Sequence, residues 1–243
     1  MTIEPRGRGL VNTPRKVPLA RSSSRSSDSV WRGLLLAVVA VIFIWFWGTL
    51  WVWPFKMLVV TFHELSHAAA AIISGGEVLS MDISPNEAGQ TKIRGGNPWM
   101  ILNAGYLGSM GWGAGLLYAS KSPERARTTA TLLAAFLAFV TIWFLGPNFG
   151  FGALFSGLIV LGLLVTGRLA SGEAAAFVLR AIGVFSLLYA FFDIESDVLH
   201  RGTTGTTDAT MLADLSGIPA IAWGGGWMLL GVVVLWLMRR SLV

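Results

Sequence analysis

Long apolar runs are the feature of this sequence that most restricts its fold. They cover residues of about 31–53, 55–74, 98–120, 128–146, 150–167, 174–193 and 218–238. A helix needs about 20 apolar residues to cross a bilayer, so most of these runs are long enough to span one. The run at 150–167 is short for this purpose, and Arg180 interrupts the run at 174–193. We therefore expect an all-α polytopic membrane protein with six or seven membrane helices.

The composition agrees with a membrane location. Charged residues make up 13% of the chain and hydrophobic residues 54%, whereas soluble domains carry about 25% charged residues. The chain has no cysteine, which excludes disulfides and thiolate metal sites. The net charge of +5 comes largely from the N-terminus, and basic residues beside a first span are typical of retention on the cytoplasmic side. We therefore expect the lipid bilayer as a partner and no nucleic acid.

The N-terminal 30 residues differ in composition from the rest of the chain. Residues 1–30 are rich in Arg, Ser and Pro, which predicts a disordered basic cytoplasmic tail. An organelle transit peptide has a similar composition and is the alternative. Residues 31–243 are then expected to form a single membrane domain.

A short polar segment separates the second apolar run from the third. Residues 75–97 contain two alternating stretches on either side of a turn at 84–89, which predicts a β-hairpin. Its backbone polar groups cannot meet lipid unpaired, so the hairpin must lie at the surface or in a cavity lined by protein.

The sequence leaves the topology open at the second apolar run. If this run crosses the bilayer completely, the basic loop at 121–127 and the C-terminal Arg239 and Arg240 fall outside. That arrangement runs against the tendency of basic loops to stay inside. A re-entrant second segment, or an exception for short loops, would restore the agreement.

A histidine-rich motif lies inside the second apolar run. His63, Glu64 and His67 form His-Glu-Leu-Ser-His, which is the HExxH spacing of zinc metalloproteases. Residues four apart share a helix face, so the two imidazoles can bind one metal ion. Glu64 lies about 100° away around the helix, where it can act on a water as a base. Ionisable residues at this depth are costly and therefore functional by default.

A catalytic zinc ion needs a third protein ligand. We predict Asp193, because it is the acid most firmly embedded in apolar sequence. Asp197 and Asp208 are the alternatives, and His200 is a further possible ligand. The remaining acids that we considered lie in the predicted hairpin or in loops: Glu77, Asp82, Glu87, Glu124, Glu173 and Asp214.

The third apolar run carries an amide among small residues. Asn103 is followed by Gly105, Gly108 and Gly111, a spacing that lets two membrane helices approach closely. The alanines at 68–71 of the second run offer a matching surface. Close packing would bring Asn103 towards the metal, where its amide could stabilise an oxyanion. The alternative is that Asn103 serves packing only.

Together these motifs resemble the site-2 protease family of intramembrane zinc metalloproteases. The resemblance rests on His-Glu-Leu-Ser-His before four alanines, on Gly75 and Gly76 before the predicted hairpin, and on Asn-Ala-Gly-Tyr-Leu-Gly at 103–108. The most similar members are the compact bacterial proteins without a PDZ domain, which implies a bacterial cell membrane. The resemblance implies that His63 and His67 bind zinc with a distant Asp, and that Glu64 activates water.

One part of the family pattern is missing. Better-known members supply the Asp from an Asn-Pro-Asp-Gly motif, but the related segment at 146–150 has no acid. The segment Phe-Asp-Ile-Glu-Ser-Asp at 192–197 is the predicted substitute.

The resemblance implies cleavage of membrane-spanning or membrane-inserted peptides. A substrate helix would have to unwind locally, and its extended strand could add to the edge of the hairpin. Two alternatives are a non-proteolytic membrane scaffold or regulator with the same fold, and a metal or ion transporter. The sequence does not indicate an oligomeric state.

Overall fold

The computed structural model describes residues 38, 41, 45–145, 150–199 and 206–242. The tail at 1–30, most of the first apolar run and His200 therefore lie outside the described residues. Seven helices and one hairpin make up the described part. The helices are α1 Trp53–Ile73, α2 Pro98–Ala119, α3 Pro123–Val140, α4 Phe151–Arg168, α5 Gly172–Leu199, α6 Asp208–Ser216 and α7 Ala220–Leu242, and a π-helical turn at Thr141–Leu145 extends α3.

Five helical segments are long and apolar enough to cross a membrane. They are Trp53–Ile73, Pro123–Leu145, Phe151–Arg168, Gly172–Leu199 and Ala220–Met238. The prediction of an all-α polytopic membrane protein with a small hairpin is confirmed. The predicted number of six or seven membrane helices is approximate, because the first run is largely undescribed and α2 is not among the five.

The helix boundaries follow from capping residues and proline. Asn97 accepts hydrogen bonds from the amides of Trp99 and Met100 at the start of α2. Ser122 accepts from the amide of Arg125 in the first turn of α3. Both helices have proline in the first turn, where its missing N–H costs no helical hydrogen bond.

The predicted hairpin is present between α1 and α2. Strands β1 Glu77–Ile83 and β2 Gly89–Arg94 pair antiparallel. Their register matches Val78 with Ile93 and Asp82 with Gln90, with a bulge between Val78 and Ser80. The turn closes with a hydrogen bond from the Ser84 amide to the Ala88 carbonyl. The hairpin packs on α1, so its inner face is covered by protein.

Helix α2 approaches two helices closely through glycine. A Cβ at Gly105 or Gly108 would collide with side chains of α1, which confirms the predicted close packing at these two positions. Gly111 has no neighbouring atom within 4 Å of such a Cβ, so it does not contribute. A second close approach joins α2 to α5, where Gly113 and Gly183 each face the other's carbonyl oxygen. The backbone contact explains why α2 lies between α1 and α5.

Arginines stabilise the ends of the helices opposite the hairpin. Arg180, which interrupts an apolar run, donates to the carbonyl of Ser120 at the end of α2 over 3.2 Å. Arg127 donates to the carbonyls of Gly167 and Arg168 at the end of α4. The last carbonyls of a helix have no partner within the helix and carry partial negative charge, so cationic donors are favourable there.

The glycine contact between α2 and α5 makes a testable prediction. Gly113→Ala places a methyl group 2.9 Å from the Gly183 carbonyl oxygen, and we expect a loss of roughly 1–3 kcal/mol in the free energy of unfolding. Gly111→Ala is the matched control, since both substitutions raise helix propensity equally. Titration with SDS in detergent micelles measures the difference. Equal stability of the two variants would contradict the close crossing.

Candidate metal centre

Two histidines of α1 and one aspartate of α6 meet at a single point. The Nε2 atoms of His63 and His67 each lie 3.1 Å from Oδ2 of Asp208. The two imidazole rings are 4.7 Å apart between centroids and nearly perpendicular. All three side chains are mostly buried. Their proximity follows from the four-residue spacing on α1 and from the position at which α6 begins.

A capping box fixes Asp208 at the first turn of α6. The Thr207 hydroxyl accepts a hydrogen bond from the Thr210 amide, and the Thr210 hydroxyl accepts one from the Thr207 amide. Ala209 and Leu212 then anchor the helix in an apolar cluster with residues of α2, α5 and α7. The start of α6 is therefore held in place from both sides, and its aspartate faces the histidines.

The two histidines favour the ionised form of Asp208. Burial alone would raise the pKa of this carboxyl, but the hydrogen bonds and charges of His63 and His67 hold the pKa well below its usual range. The ionised form, a carboxylate, is the form that binds metal ions.

The backbone of α2 orients the second histidine. His67 Nδ1 lies 2.7 Å from the carbonyl oxygen of Ile101. A carbonyl only accepts hydrogen bonds, so Nδ1 carries the hydrogen. In a neutral ring, Nε2 then carries the lone pair that can bind a metal ion. A hydrogen bond from the other ring nitrogen is typical of metal-binding histidines.

The absence of a side chain at Gly105 makes room for the centre. A Cβ at this position would lie 2.3 Å from Nε2 of His63 and 2.7 Å from Nε2 of His67. Any side chain there would therefore occupy the space in front of both ligand atoms.

The three side chains fit a zinc ion. Their ligand atoms, two imidazole nitrogens and one carboxylate oxygen, all lie within 4.8 Å of one another. Two histidines and one carboxylate are a donor set of catalytic zinc sites, which leaves a position for water. We find no thiolate, since the chain has no cysteine. Among the described residues, no other group of His, Asp and Glu side chains brings three such atoms this close together.

Glu64 lies beside the three ligands and is not one of them. Its side chain is buried, and Thr91 of β2 donates a hydrogen bond to its Oε2 over 2.7 Å. Placement next to a metal, without direct ligation, suits a residue that handles the protons of a bound water.

The centre opens into a cavity of about 620 Å³. Its wall combines the motif residues of α1, the strand β2 and the ends of α5 and α6. The lining includes Glu64, Gly89, Gln90, Thr91, Ile93, Leu102, Tyr189, Asp193, Asp197, Thr207 and Met211. The cavity is large enough for a short peptide segment beside the ligands.

The predicted third ligand lies on this wall and outside the group of three. Asp193 lines the cavity, but the carboxylate that meets His63 and His67 is that of Asp208. Asp197, the other alternative, accepts a hydrogen bond from the Tyr106 hydroxyl. The geometry thus favours Asp208, which was an alternative to Asp193, as the third ligand.

The amide of Asn103 is occupied by packing contacts. Its Nδ2 donates to the carbonyl of Trp99 over 2.9 Å, and its Oδ1 accepts from Nε1 of Trp227 over 2.8 Å. The residue is not part of the cavity wall. These contacts favour the packing role of Asn103 over oxyanion stabilisation.

Two residues at the centre carried no signal that singled them out. Thr91 lies within the predicted hairpin, where no motif marks it, and Ile101 contributes through its backbone carbonyl. Asp208 did carry a usable signal, because Thr-Asp followed by Thr210 is a sequence pattern for a helix start. This pattern predicts a helix that begins at Asp208, and it would have favoured Asp208 as a candidate ligand.

Comparison with known proteins gives one match. A protein-family model described as peptidase M50B-like matches residues 35–238, a range that includes the metal centre and the hairpin. No curated protein and no solved structure matches the chain.

The ligand set can be tested by metal analysis. We expect Asp208→Asn to lower zinc binding by at least about tenfold, because an amide oxygen is a weaker ligand than a carboxylate. Asp193→Asn is the matched comparison on the same cavity wall and should keep its zinc. Mass spectrometric metal content after dialysis against a buffered zinc solution measures both. The reverse result would restore Asp193 as the ligand.

The space at Gly105 gives a second test of the centre. Gly105→Ala should abolish stoichiometric zinc binding, since the added methyl group collides with both Nε2 atoms. Gly115→Ala is the control on the same helix, where a Cβ meets no atom within 4 Å. Calorimetric titration with zinc compares the two. Normal affinity in Gly105→Ala would show that the ligands meet elsewhere.

Proposed function

The chain belongs to the peptidase M50B-like family, and we propose that it is a zinc endopeptidase that cleaves membrane-embedded peptides. Membership in the family supports a membrane metalloprotease. The apolar helices agree with an integral multi-pass membrane protein. The proposal goes beyond family membership in the metal, the mechanism and the class of substrate.

One observation carries the proposal: a buried glutamate lies beside three side chains that could bind a zinc ion. A structural metal site needs four protein ligands and no base. Here His63, His67 and Asp208 form a group of three, and Glu64 faces the same cavity. Three protein ligands would leave a position for water on a bound zinc ion, and a neighbouring carboxylate could then act on that water in peptide hydrolysis.

The proposed mechanism assigns a task to each residue. His63, His67 and Asp208 would hold the zinc ion, which when bound supplies Lewis-acid chemistry and lowers the pKa of water. Glu64 takes a proton from the attacking water as the water adds to the scissile carbonyl carbon. Glu64 then gives this proton to the nitrogen of the leaving amine as the C–N bond breaks.

We propose that the substrate reaches the centre as an extended segment of a membrane-spanning or membrane-inserted peptide. A helix keeps its carbonyls in internal hydrogen bonds, so it must unwind before hydrolysis. Among the described residues no third strand joins the two-stranded hairpin, and β2 contributes Gly89, Gln90, Thr91 and Ile93 to the cavity wall. Pairing with the hairpin would hold the peptide extended beside the ligands.

We also propose a location in a bacterial cell membrane with a cytoplasmic N-terminus. The Arg-rich segment at 1–30 supports this orientation. The proposed partners are therefore the peptide substrate and the lipid bilayer.

Substitution of the base tests the proposed reaction. Glu64→Gln should lower the cleavage rate at least about a hundredfold, because loss of a general base typically costs this much. Zinc content should stay at the wild-type level. The assay uses proteoliposomes with a mass-tagged library of single-span peptides, and mass spectrometry identifies cleaved members.

The controls separate a protease from the two alternatives. Asp193→Asn should cleave at a rate close to wild type if Asp193 is not a ligand. Equal cleavage by wild type and Glu64→Gln would exclude the proposed mechanism. Full zinc occupancy with no cleavage of any library member would favour a scaffold, and zinc transport across the vesicle membrane would favour a transporter.

A further inference from the structure

The hairpin contacts the glutamate of the metal centre through a threonine. Thr91 Oγ1 lies 2.7 Å from Oε2 of Glu64 and 3.2 Å from the Glu64 carbonyl oxygen. The hydroxyl has one hydrogen, and the carboxylate oxygen at 2.7 Å is the nearer acceptor. Thr91 is thus the residue on β2 that is hydrogen-bonded to the Glu64 side chain.

A glycine of the same strand meets the other carboxylate oxygen. A Cβ at Gly89 would lie 2.6 Å from Oε1 and 2.6 Å from Cγ of Glu64. Gly89 and Thr91 are two residues apart and therefore lie on the same face of the strand. Strand β2 is accordingly packed against both oxygens of the Glu64 carboxylate.

Two further contacts fix the hairpin on α1. Lys56 forms an ion pair of 3.2 Å with Glu87, and Trp53 Nε1 donates to the carbonyl of Pro85 over 2.9 Å. Lys56 lies two helical turns before Glu64, so both residues face the hairpin. The hydroxyl of Thr91 is therefore presented to Glu64 by a strand whose preceding turn is fixed to α1.

We propose that Thr91 is a positioning residue that sets the orientation of Glu64 for proton transfer. The hydrogen bond to Oε2 and the Gly89 backbone beside Oε1 hold the carboxylate in one orientation at the cavity wall. An unrestrained glutamate side chain has three rotatable bonds and spends little time in one orientation. The inference rests on the proposed function, since it assigns Glu64 the role of a base.

The test uses isosteric and conservative substitutions. Thr91→Val keeps the shape and removes the hydroxyl, and Thr91→Ser keeps the hydroxyl. We expect Thr91→Val to lower kcat about ten- to a hundredfold, with KM within about twofold and zinc content unchanged. Thr91→Ser should restore most of kcat. Thr166→Val is the control, because it also removes a threonine hydroxyl. In the described part of the chain, this hydroxyl donates to the Gly162 carbonyl within α4.

A spectroscopic readout does not depend on catalysis. The infrared carboxylate band that disappears in Glu64→Gln identifies Glu64. This band should shift in Thr91→Val, since one oxygen loses its hydrogen bond, and should return in Thr91→Ser. An unshifted band would overturn the proposal even if no substrate had been found.

The outcomes separate this inference from the proposed function. Cleavage that requires Glu64 but is unchanged in Thr91→Val would overturn the positioning role and leave the protease intact. A lower kcat in Thr91→Val that Thr91→Ser does not restore, together with a lower melting temperature, would indicate a structural role and also overturn it. Absence of any Glu64-dependent cleavage would refute the proposed function, and the infrared band would still decide the hydrogen bond.

Discussion

The burial of three ionisable side chains in an apolar helix is the constraint on which the rest of the structure depends. Ionisable groups inside a membrane helix are costly; an Asp, Lys or Arg side chain at its centre costs roughly 2.5–3.5 kcal/mol on insertion scales. The motif on α1 has three such groups, and each finds a partner on a different element. Asp208 of α6 meets both imidazoles, the Ile101 carbonyl of α2 meets His67, and Thr91 of β2 meets Glu64. The centre thus requires α2, α6 and the hairpin to converge on one turn of α1.

This convergence is possible because one helix has little side-chain volume at the right places. Gly105 leaves the space in front of the histidines, and Gly108 lies against Ser66. Gly113 lets α5 approach the same helix from the other side. In lipid, apolar surface gives no hydrophobic force between helices, so close backbone packing is a main source of their association. The glycines of α2 therefore serve both the stability of the bundle and access to the ligand atoms.

The sequence predicted the elements well because their signals are local. Apolar runs, the alternation at 75–97 and the spacing of His63 and His67 each depend on neighbouring residues only. The meeting of Asp208 with the two histidines depends on tertiary structure. Asp193 was preferred for its apolar neighbours, whereas Asp208 follows a polar stretch and is buried by the packing of α6 against α2 and α7. Asn103 likewise has a partner, Trp227, that no local pattern connects to it.

The hairpin has a task that explains why a polar backbone is placed beside membrane helices. Its residues alternate along β2, so that Gly89, Thr91 and Ile93 share the face that borders the cavity. A helix in this position would present a side chain at every turn, with no backbone edge that a peptide could pair with. A strand offers a glycine that admits the Glu64 carboxylate, and in the described part of the chain its sheet has no third strand, so an extended chain could pair with it. Orientation of the base and alignment of a peptide would then depend on the same strand.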